Sequence, residues 1–300
     1  MKKDMKKSGK SGNGIYRILF FVFLLIFLVT AAVSVKRYLN RKEAEKRYEA
    51  LQSQAAAVEE SSEAESMPEE SSRQESVPDE SSAAESTETE SGETEFVSDG
   101  EVSIPAKNID WAALKAENQD VYAWLYVPGT LVDYPVLQHP DEMDYYLDRN
   151  MDLSEGFPGC LYTDYINSKD FTDTNTVIYG HNMYDNLMFT TLHWFEGREF
   201  FEEHPYFYIY TPNGNFAYEI FAAYVGSNLH QLLSYSYASD TAIQMYFDEI
   251  WTYRDVGNHF RYDVELTPKN RIVTLSTCVD QDHGHRYLVQ GVLLNETPIS

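Results

Sequence analysis

Cysteine is scarce in this chain of 300 residues, which contains only Cys160 and Cys278. Small secreted domains that cannot build a large core usually depend on several disulfides. A single possible pair gives no such framework, so an apolar core must hold the fold together. Cys278 could be a nucleophile, a metal ligand, half of a disulfide or a buried thiol without a function.

Basic residues are scarce in residues 103–300, where ten Lys or Arg stand against twenty-eight Asp or Glu, a net charge of −18. Nucleic-acid binding needs a basic surface, so this balance excludes it. The same segment is rich in aromatic residues, and its length suffices for one well-buried core.

Bulky apolar side chains are nearly missing from residues 59–101, which carry sixteen Asp or Glu and one basic residue, Arg73. Such a segment buries too little apolar surface to offset its ordering entropy. It repeats every ten residues, as in "ESMPEESSRQ" and "ESVPDESSAA". We predict that residues 36–102 form a disordered stalk, first basic and then acidic, and that a chain starting near Val102 folds and is active.

One long apolar run is present, at residues 18–35, and it contains no charge. At about 1.5 Å per residue it spans roughly 27 Å, close to the hydrocarbon thickness of a bilayer. We predict a transmembrane anchor, and a cleaved signal peptide is the alternative. Six Lys or Arg lie on each side of the run, so the positive-inside rule does not decide its orientation.

The pattern of residues 103–300 predicts mixed structure. Asp110 is placed to cap a short helix, "DEMDYYLDRN" looks helical, and Asp240 is placed to cap an amphipathic helix. "YFYIYTPNGNFAYEIFAAYV" predicts a hairpin, and "RIVTLSTC" and "YLVQGVLL" predict two later strands. This pattern favours a β-barrel-like core with added helices.

Chemistry-bearing residues gather where the strand "RIVTLSTC" ends at Cys278. If the next strand pairs antiparallel, Cys278 and Arg286 lie at the same end of the sheet. A guanidinium beside a thiol favours the nucleophilic thiolate. His181 follows another apolar run, "TVIYG", and could supply the proton transfer that such a reaction needs.

Each of these residues also has a simpler interpretation. Cys278 could be a small buried side chain, His181 a turn residue and Arg286 a surface ion-pair partner. "CVDQDHGH" could form half of a metal site through His283 and His285, but it lacks the usual ligand spacing. We therefore predict no metal and no cofactor.

The residues together resemble the sortase family. The resemblance rests on "TLSTC" at 274–278, an Arg at the start of the following strand and "YGHNM" at 179–183. The "VIYGHNM…MF" stretch, the helical start and the long helix before the cysteine strand resemble class B. This resemblance implies a mainly β fold over residues 103–300: a closed eight-stranded barrel with N-terminal helices and a long helix before the cysteine strand.

The resemblance also implies roles for individual residues. Cys278 matches the nucleophile, His181 the general acid/base and Arg286 the stabiliser of the transition state, while Ser276 and Thr277 could contact substrate. The implied reaction cleaves a C-terminal sorting signal, NPxTN-like or related, after its Thr through a thioacyl-enzyme. The implied acceptor is an amine of a cell-wall precursor or of a pilin subunit.

The family further implies an extracellular catalytic domain, so residues 1–17 would form a cytoplasmic tail. Surface proteins with sorting signals, and the membrane, are the implied partners. Two other functions stay open: a cysteine peptidase that hydrolyses the same intermediate, and a stalked binding module without catalysis. The seven residues between Cys278 and Arg286 form a short connection, which leaves the substrate preference undecided.

Overall fold

The computed structural model describes residues 12–56, 102–183, 186–280 and 282–298. The helices are α1 (Gly12–Ala56), α2 (Trp111–Glu117), a 3₁₀ helix (Thr190–Glu196), α3 (Arg198–Glu203), α4 (Gln231–Ser234) and α5 (Asp240–Ile250). The strands are β1 (Val121–Tyr126), β2 (Asp133–Leu137), β3 (Leu161–Tyr162), β4 (Asn175–Tyr179), β5 (Tyr206–Thr211), β6 (Gly214–Ser227), β7 (His259–Phe260), β8 (Ile272–Val279) and β9 (Asp282–Pro298).

Eight of the strands close into a barrel, in the order β5-β1-β2-β3-β4-β8-β9-β6, because β5 also pairs with β6. The short β7 pairs only with β6 and lies outside this ring. Within the barrel the strand pairs β2–β3 and β4–β8 are parallel, and the other pairs are antiparallel. The predicted closed eight-stranded barrel with added helices is confirmed.

Aromatic and branched side chains fill the barrel. Phe207 and Tyr218 stack with ring centroids 5.1 Å apart and an interplanar angle of 9°. Leu275 and Val289, paired across β8 and β9, are fully buried in the same cluster. This packing supplies the apolar core that the scarcity of cysteine requires.

The predicted local elements agree with the structure in part. Asp110 caps α2, because its Oδ1 accepts the Ala113 amide at 2.9 Å, and the β5–β6 hairpin forms as predicted. Helix α5 also forms, but its cap is Ser239, whose hydroxyl accepts the Ala242 amide, so the prediction for Asp240 was wrong by one residue.

The prediction of a helix over "DEMDYYLDRN" was wrong, because these residues form turns. Asp144 adopts a positive φ of 54°, which interrupts any helix there. Its carboxylate accepts the hydroxyl of Tyr162 at 2.6 Å, and its amide donates to Asp164. These tertiary bonds stabilise the turn, which leads on to Leu147.

Helix α1 contains one segment long and apolar enough to cross a membrane. Its most apolar 18-residue window has a mean hydropathy of 3.0, and none of its residues is buried. The helix does not end with the apolar run but continues to Ala56. Our prediction that residue 36 begins a disordered stalk was therefore wrong for residues 36–56, whereas residues 57–101 lie outside the described ranges.

The second half of α1 packs against the barrel, and for this reason residues 36–56 do not form a disordered stalk. Ala44, Tyr48 and Ala55 are buried, and with Leu51 they recur every three or four residues along one helix face. The hydroxyl of Tyr48 donates to the carbonyl of Gly159 at 2.9 Å. This apolar stripe was hidden in the sequence by the charged residues between its members.

Candidate active site

The parallel pairing of β4 and β8 brings two predicted site residues to one edge of the barrel. Tyr179 is paired with Ser276, so the chain after β4 and the end of β8 leave the sheet side by side. Thr277 Oγ1 donates to the Gly180 carbonyl at 2.8 Å, and the Gly180 amide donates to Ser276 O at 3.1 Å. His181 therefore follows directly on a strand end fixed to the strand of Cys278.

Arg286 reaches the same edge from β9. It is the direct cross-strand partner of Cys278, and its Nη1 donates to Cys278 Sγ. A cationic donor at sulfur stabilises the negative charge that develops there as the thiol gives up its proton. Cys278 is partly exposed.

His181 lies partly buried at the same edge of the barrel. Its Nε2 lies within hydrogen-bond distance of the Leu147 carbonyl, and its ring meets Phe157 edge-on at 5.0 Å between centroids. Burial lowers the pKa of His181 below its usual 6.5, and the charge of Arg286 adds to this effect. A carbonyl only accepts, so Nε2 carries the hydrogen and Nδ1 of the neutral ring is free to take a proton.

Gly180 makes this arrangement sterically possible. A Cβ at this position would lie 2.5 Å from a side-chain carbon of Leu161 and 2.7 Å from a ring carbon of Phe189. Any larger residue would push the chain away from these buried side chains. The glycine therefore allows the His181 turn to lie closely against the barrel.

Ser276 and Thr277, the two predicted substrate contacts, are both buried in β8. The hydroxyl of Thr277 is engaged by the Gly180 carbonyl, which gives Thr277 a role in joining the two strand ends. Direct substrate contact by either residue stays a prediction.

Two further side chains lie at the nucleophile that the sequence did not single out. Asn182 Nδ2 donates to the Cys278 carbonyl at 3.2 Å and to Asp280 at 3.1 Å. His193 Nε2 lies 3.0 Å from the same carbonyl. Asn182 could have been noticed as the neighbour of His181, but no sequence signal links His193 to Cys278.

The remaining candidates lie elsewhere. His285 is exposed and pairs with Asp282 at 2.7 Å, and the side chain of His283 is outside the described part of the structure. His139, with two exposed acids, could in principle hold an ion, but its Nδ1 accepts the Glu142 amide at 3.0 Å. We assign no metal to either group.

Cys160 is enclosed in the core next to α1. Burial raises its pKa to about 12, and its Sγ donates to the Arg149 carbonyl at 3.3 Å. A neutral, enclosed thiol is not a nucleophile. Both cysteines are free, so the interpretation of Cys278 as half of a disulfide is excluded.

Comparisons with known proteins identify the family of the chain. The family model described as "Sortase domain" matches residues 125–294. Sortase B of Listeria monocytogenes is 33% identical over 186 residues, which cover 61% of this chain and 73% of that protein. Sortase B of Staphylococcus aureus is 30% identical over 168 residues, covering 56% of this chain and 67% of that protein.

Solved structures give the same result. A Staphylococcus aureus sortase B–substrate complex superposes with a TM-score of 0.55 at 28% identity, covering 63% of this chain and 85% of that chain. Clostridium perfringens sortase B superposes with a TM-score of 0.56 at 28% identity, covering 61% of this chain and 99% of that chain. The chain belongs to the sortase family of cysteine transpeptidases and is a class B sortase.

Proposed function

We propose that Cys278, His181 and Arg286 carry out the transpeptidation, with Cys278 as the nucleophile. The observation that carries this proposal is the guanidinium of Arg286 donating to Cys278 Sγ at the edge where His181 also lies. Cys160, buried and neutral, offers no rival nucleophile.

The reaction begins with attack of the Cys278 sulfur on the carbonyl carbon of the cleaved peptide bond. The thiol proton passes to His181, whose lowered pKa keeps its ring neutral and ready to accept it. Arg286 donates hydrogen bonds to the oxyanion that forms. His181 then protonates the leaving amine, the C–N bond breaks, and a thioacyl-enzyme remains.

The second half of the reaction transfers the acyl group. An incoming amine attacks the thioester carbon while His181 takes its proton, and the C–S bond breaks to release Cys278. His181 must face the sulfur in both halves, so its bond to Leu147 describes the resting enzyme. Substrate binding is expected to redirect the ring.

We propose a sorting signal as the donor substrate, NPxTN-like or related and cleaved after its Thr, and an amine of a cell-wall precursor or pilin subunit as acceptor. The Staphylococcus aureus relative has been solved as a sortase B–substrate complex, which supports a substrate-binding site in this chain. Ser276 and Thr277 are the proposed floor of that site.

We also propose that residues 18–35 anchor the enzyme in the membrane, with residues 1–17 in the cytoplasm and the catalytic domain outside. No residue of the apolar window is buried, and the same helix continues into the part that packs on the barrel. Intact-mass measurement of the mature protein separates a retained anchor from a cleaved signal peptide.

Peptide turnover with and without an amine tests the activity. A transpeptidase forms ligated product at the expense of hydrolysis when the amine is added, whereas a peptidase gives hydrolysis alone. Cys278→Ala is expected to abolish both products, because no other described side chain at the site can form the thioester. Unchanged turnover in Cys278→Ala would overturn the proposal.

A further inference from the structure

The carbonyl of Cys278 is approached by two side chains, Asn182 and His193. The β8–β9 register shifts between Cys278 and Val279, so the regular ladder is interrupted directly after the nucleophile. His193 Nε2 at 3.0 Å and Asn182 Nδ2 at 3.2 Å approach the Cys278 oxygen. Carbonyl and carboxylate oxygens only accept, so His193 donates to the Cys278 carbonyl through Nε2 and to Glu196 through Nδ1, which takes the doubly protonated ring. Asn182 Nδ2, 3.1 Å from His193 Nε2, donates to the same carbonyl.

The ring of His193 is itself oriented by two contacts. Its Nδ1 lies 2.7 Å from Glu196 Oε1, one turn later in the 3₁₀ helix. Its face stacks on Tyr287, with centroids 4.7 Å apart and an interplanar angle of 22°. Tyr287 is fully buried and directly follows Arg286. His193 therefore contacts both the backbone of Cys278 and the neighbour of Arg286 in β9.

We propose that His193 is a positioning residue for the transpeptidation. With Asn182 it fixes the peptide plane after Cys278, and this fixes the backbone torsions that direct the sulfur toward Arg286 and the substrate. The inference rests on the proposed role of Cys278 as nucleophile. An error of about 1 Å in the position of a reacting atom can cost about a hundred-fold in rate, so such a restraint has a measurable effect.

Three substitutions at His193 separate hydrogen bonding from packing. His193→Gln places an amide nitrogen near the position of Nε2 and can still donate to Cys278. His193→Asn places its amide near Nδ1, beside Glu196, and cannot reach that carbonyl. His193→Phe keeps the stacking on Tyr287 and has no donor.

The full chain, purified in detergent, is assayed for peptide turnover with each variant. We expect kcat to fall about tenfold in His193→Phe and His193→Asn, the loss that one hydrogen bond produces, with KM unchanged. His193→Gln should stay within about threefold of the parent, because it keeps the donor. His139→Phe is the matched control, since that histidine also stacks on a tyrosine, Tyr145, but lies outside this site.

The melting temperature of each variant distinguishes positioning from a merely structural role. Equal losses of kcat in His193→Asn and His193→Gln, or losses that follow the melting temperature, overturn the proposal. If His193→Phe does not fold, Glu196→Gln decides instead: it weakens the restraint on the ring, so kcat should fall about threefold and an unchanged kcat overturns the proposal. Cys278→Ala in the same assay tests the two assignments separately. Turnover in that variant would contradict the role of Cys278 as nucleophile, whatever the His193 variants show.

Discussion

Arg286 donates to the sulfur of Cys278 across one rung of the β8–β9 ladder. The two residues are eight positions apart in the sequence and are direct partners in the sheet. The short connection between them therefore returns the chain to the same edge of the barrel. Backbone register therefore brings the guanidinium to the nucleophile.

Arg286→Lys tests whether a planar guanidinium is required. Lysine keeps the charge but offers a compact ammonium on a flexible stem, without the planar fork that presents donors to sulfur and oxyanion in fixed directions. We expect kcat/KM for the peptide to fall by about a hundred-fold, the scale seen for loss of an oxyanion donor. Arg271→Lys, at a partly exposed ion pair with Glu296, should be nearly unchanged, and equal losses in both variants would argue against a special role.

Substitution of the histidines tests the assignment of the acid/base. His181→Ala should lose about a hundred-fold or more in turnover, within the usual contribution of general acid–base catalysis. His283→Ala and His285→Ala should each lose less than about tenfold, through substrate binding alone. Peptide kinetics on the three single variants decide which histidine acts as the general acid/base. Near-normal turnover in His181→Ala, with collapse in either of the others, contradicts the mechanism.

The lowered pKa of His181 sets the pH dependence. The neutral ring takes up the thiol proton, so kcat/KM should decrease as pH falls through a value below 6.5. Phe157→Ala admits water to the ring, which removes part of the desolvation and should move this acid limb to higher pH.

Leu153→Ala is the control for that measurement, because Leu153 is an exposed residue of the same segment. It should leave the pH profile in place. A profile that does not move in Phe157→Ala would show that burial against this ring does not set the proton affinity of His181.

The two cysteines are expected to react differently with a charged thiol reagent. In the folded chain only Cys278 should be modified, because Cys160 is buried and its pKa is raised to about 12. Intact-mass spectrometry should detect one adduct on the native protein and two after denaturation. Cys160→Ala should keep nearly full turnover, and rapid native labelling of Cys160 would contradict the structure.

The docked half of α1 should contribute to stability. Tyr48→Ala removes a buried ring and its bond to Gly159, so we expect the free energy of unfolding to fall by about 3–5 kcal/mol. Tyr48→Phe removes only the hydroxyl and should cost about 1 kcal/mol.

The same contacts revise the expectation for a chain that starts near Val102. It lacks Tyr48 and should melt at a lower temperature than a chain that starts at residue 36. Calorimetry on the two chains makes the comparison. Equal melting temperatures would mean that the packing of α1 on the barrel contributes nothing to stability.

Part of the fold could be predicted because its signals are local. The cap at Asp110 and the hairpin of β5 and β6 depend on residues that are close in sequence. The apolar run at residues 18–35 needs only length and composition to be recognised. The helix predicted over "DEMDYYLDRN" failed because bonds from Asp144 to Tyr162 and Asp164 stabilise a turn against local propensity.

The sequence by itself determined the family and the three residues proposed for the chemistry, since their types and order form a specific combination. Only the tertiary structure decided which other groups meet at Cys278. His193 lies 85 positions from Cys278, and the two meet because the 3₁₀ helix packs beside the strand ends of the closed barrel. The docking of α1 was equally hidden, because which face of a helix is buried depends on the surface that covers it. Contacts between distant segments are set by the closure of the sheet, and no local pattern encodes that closure.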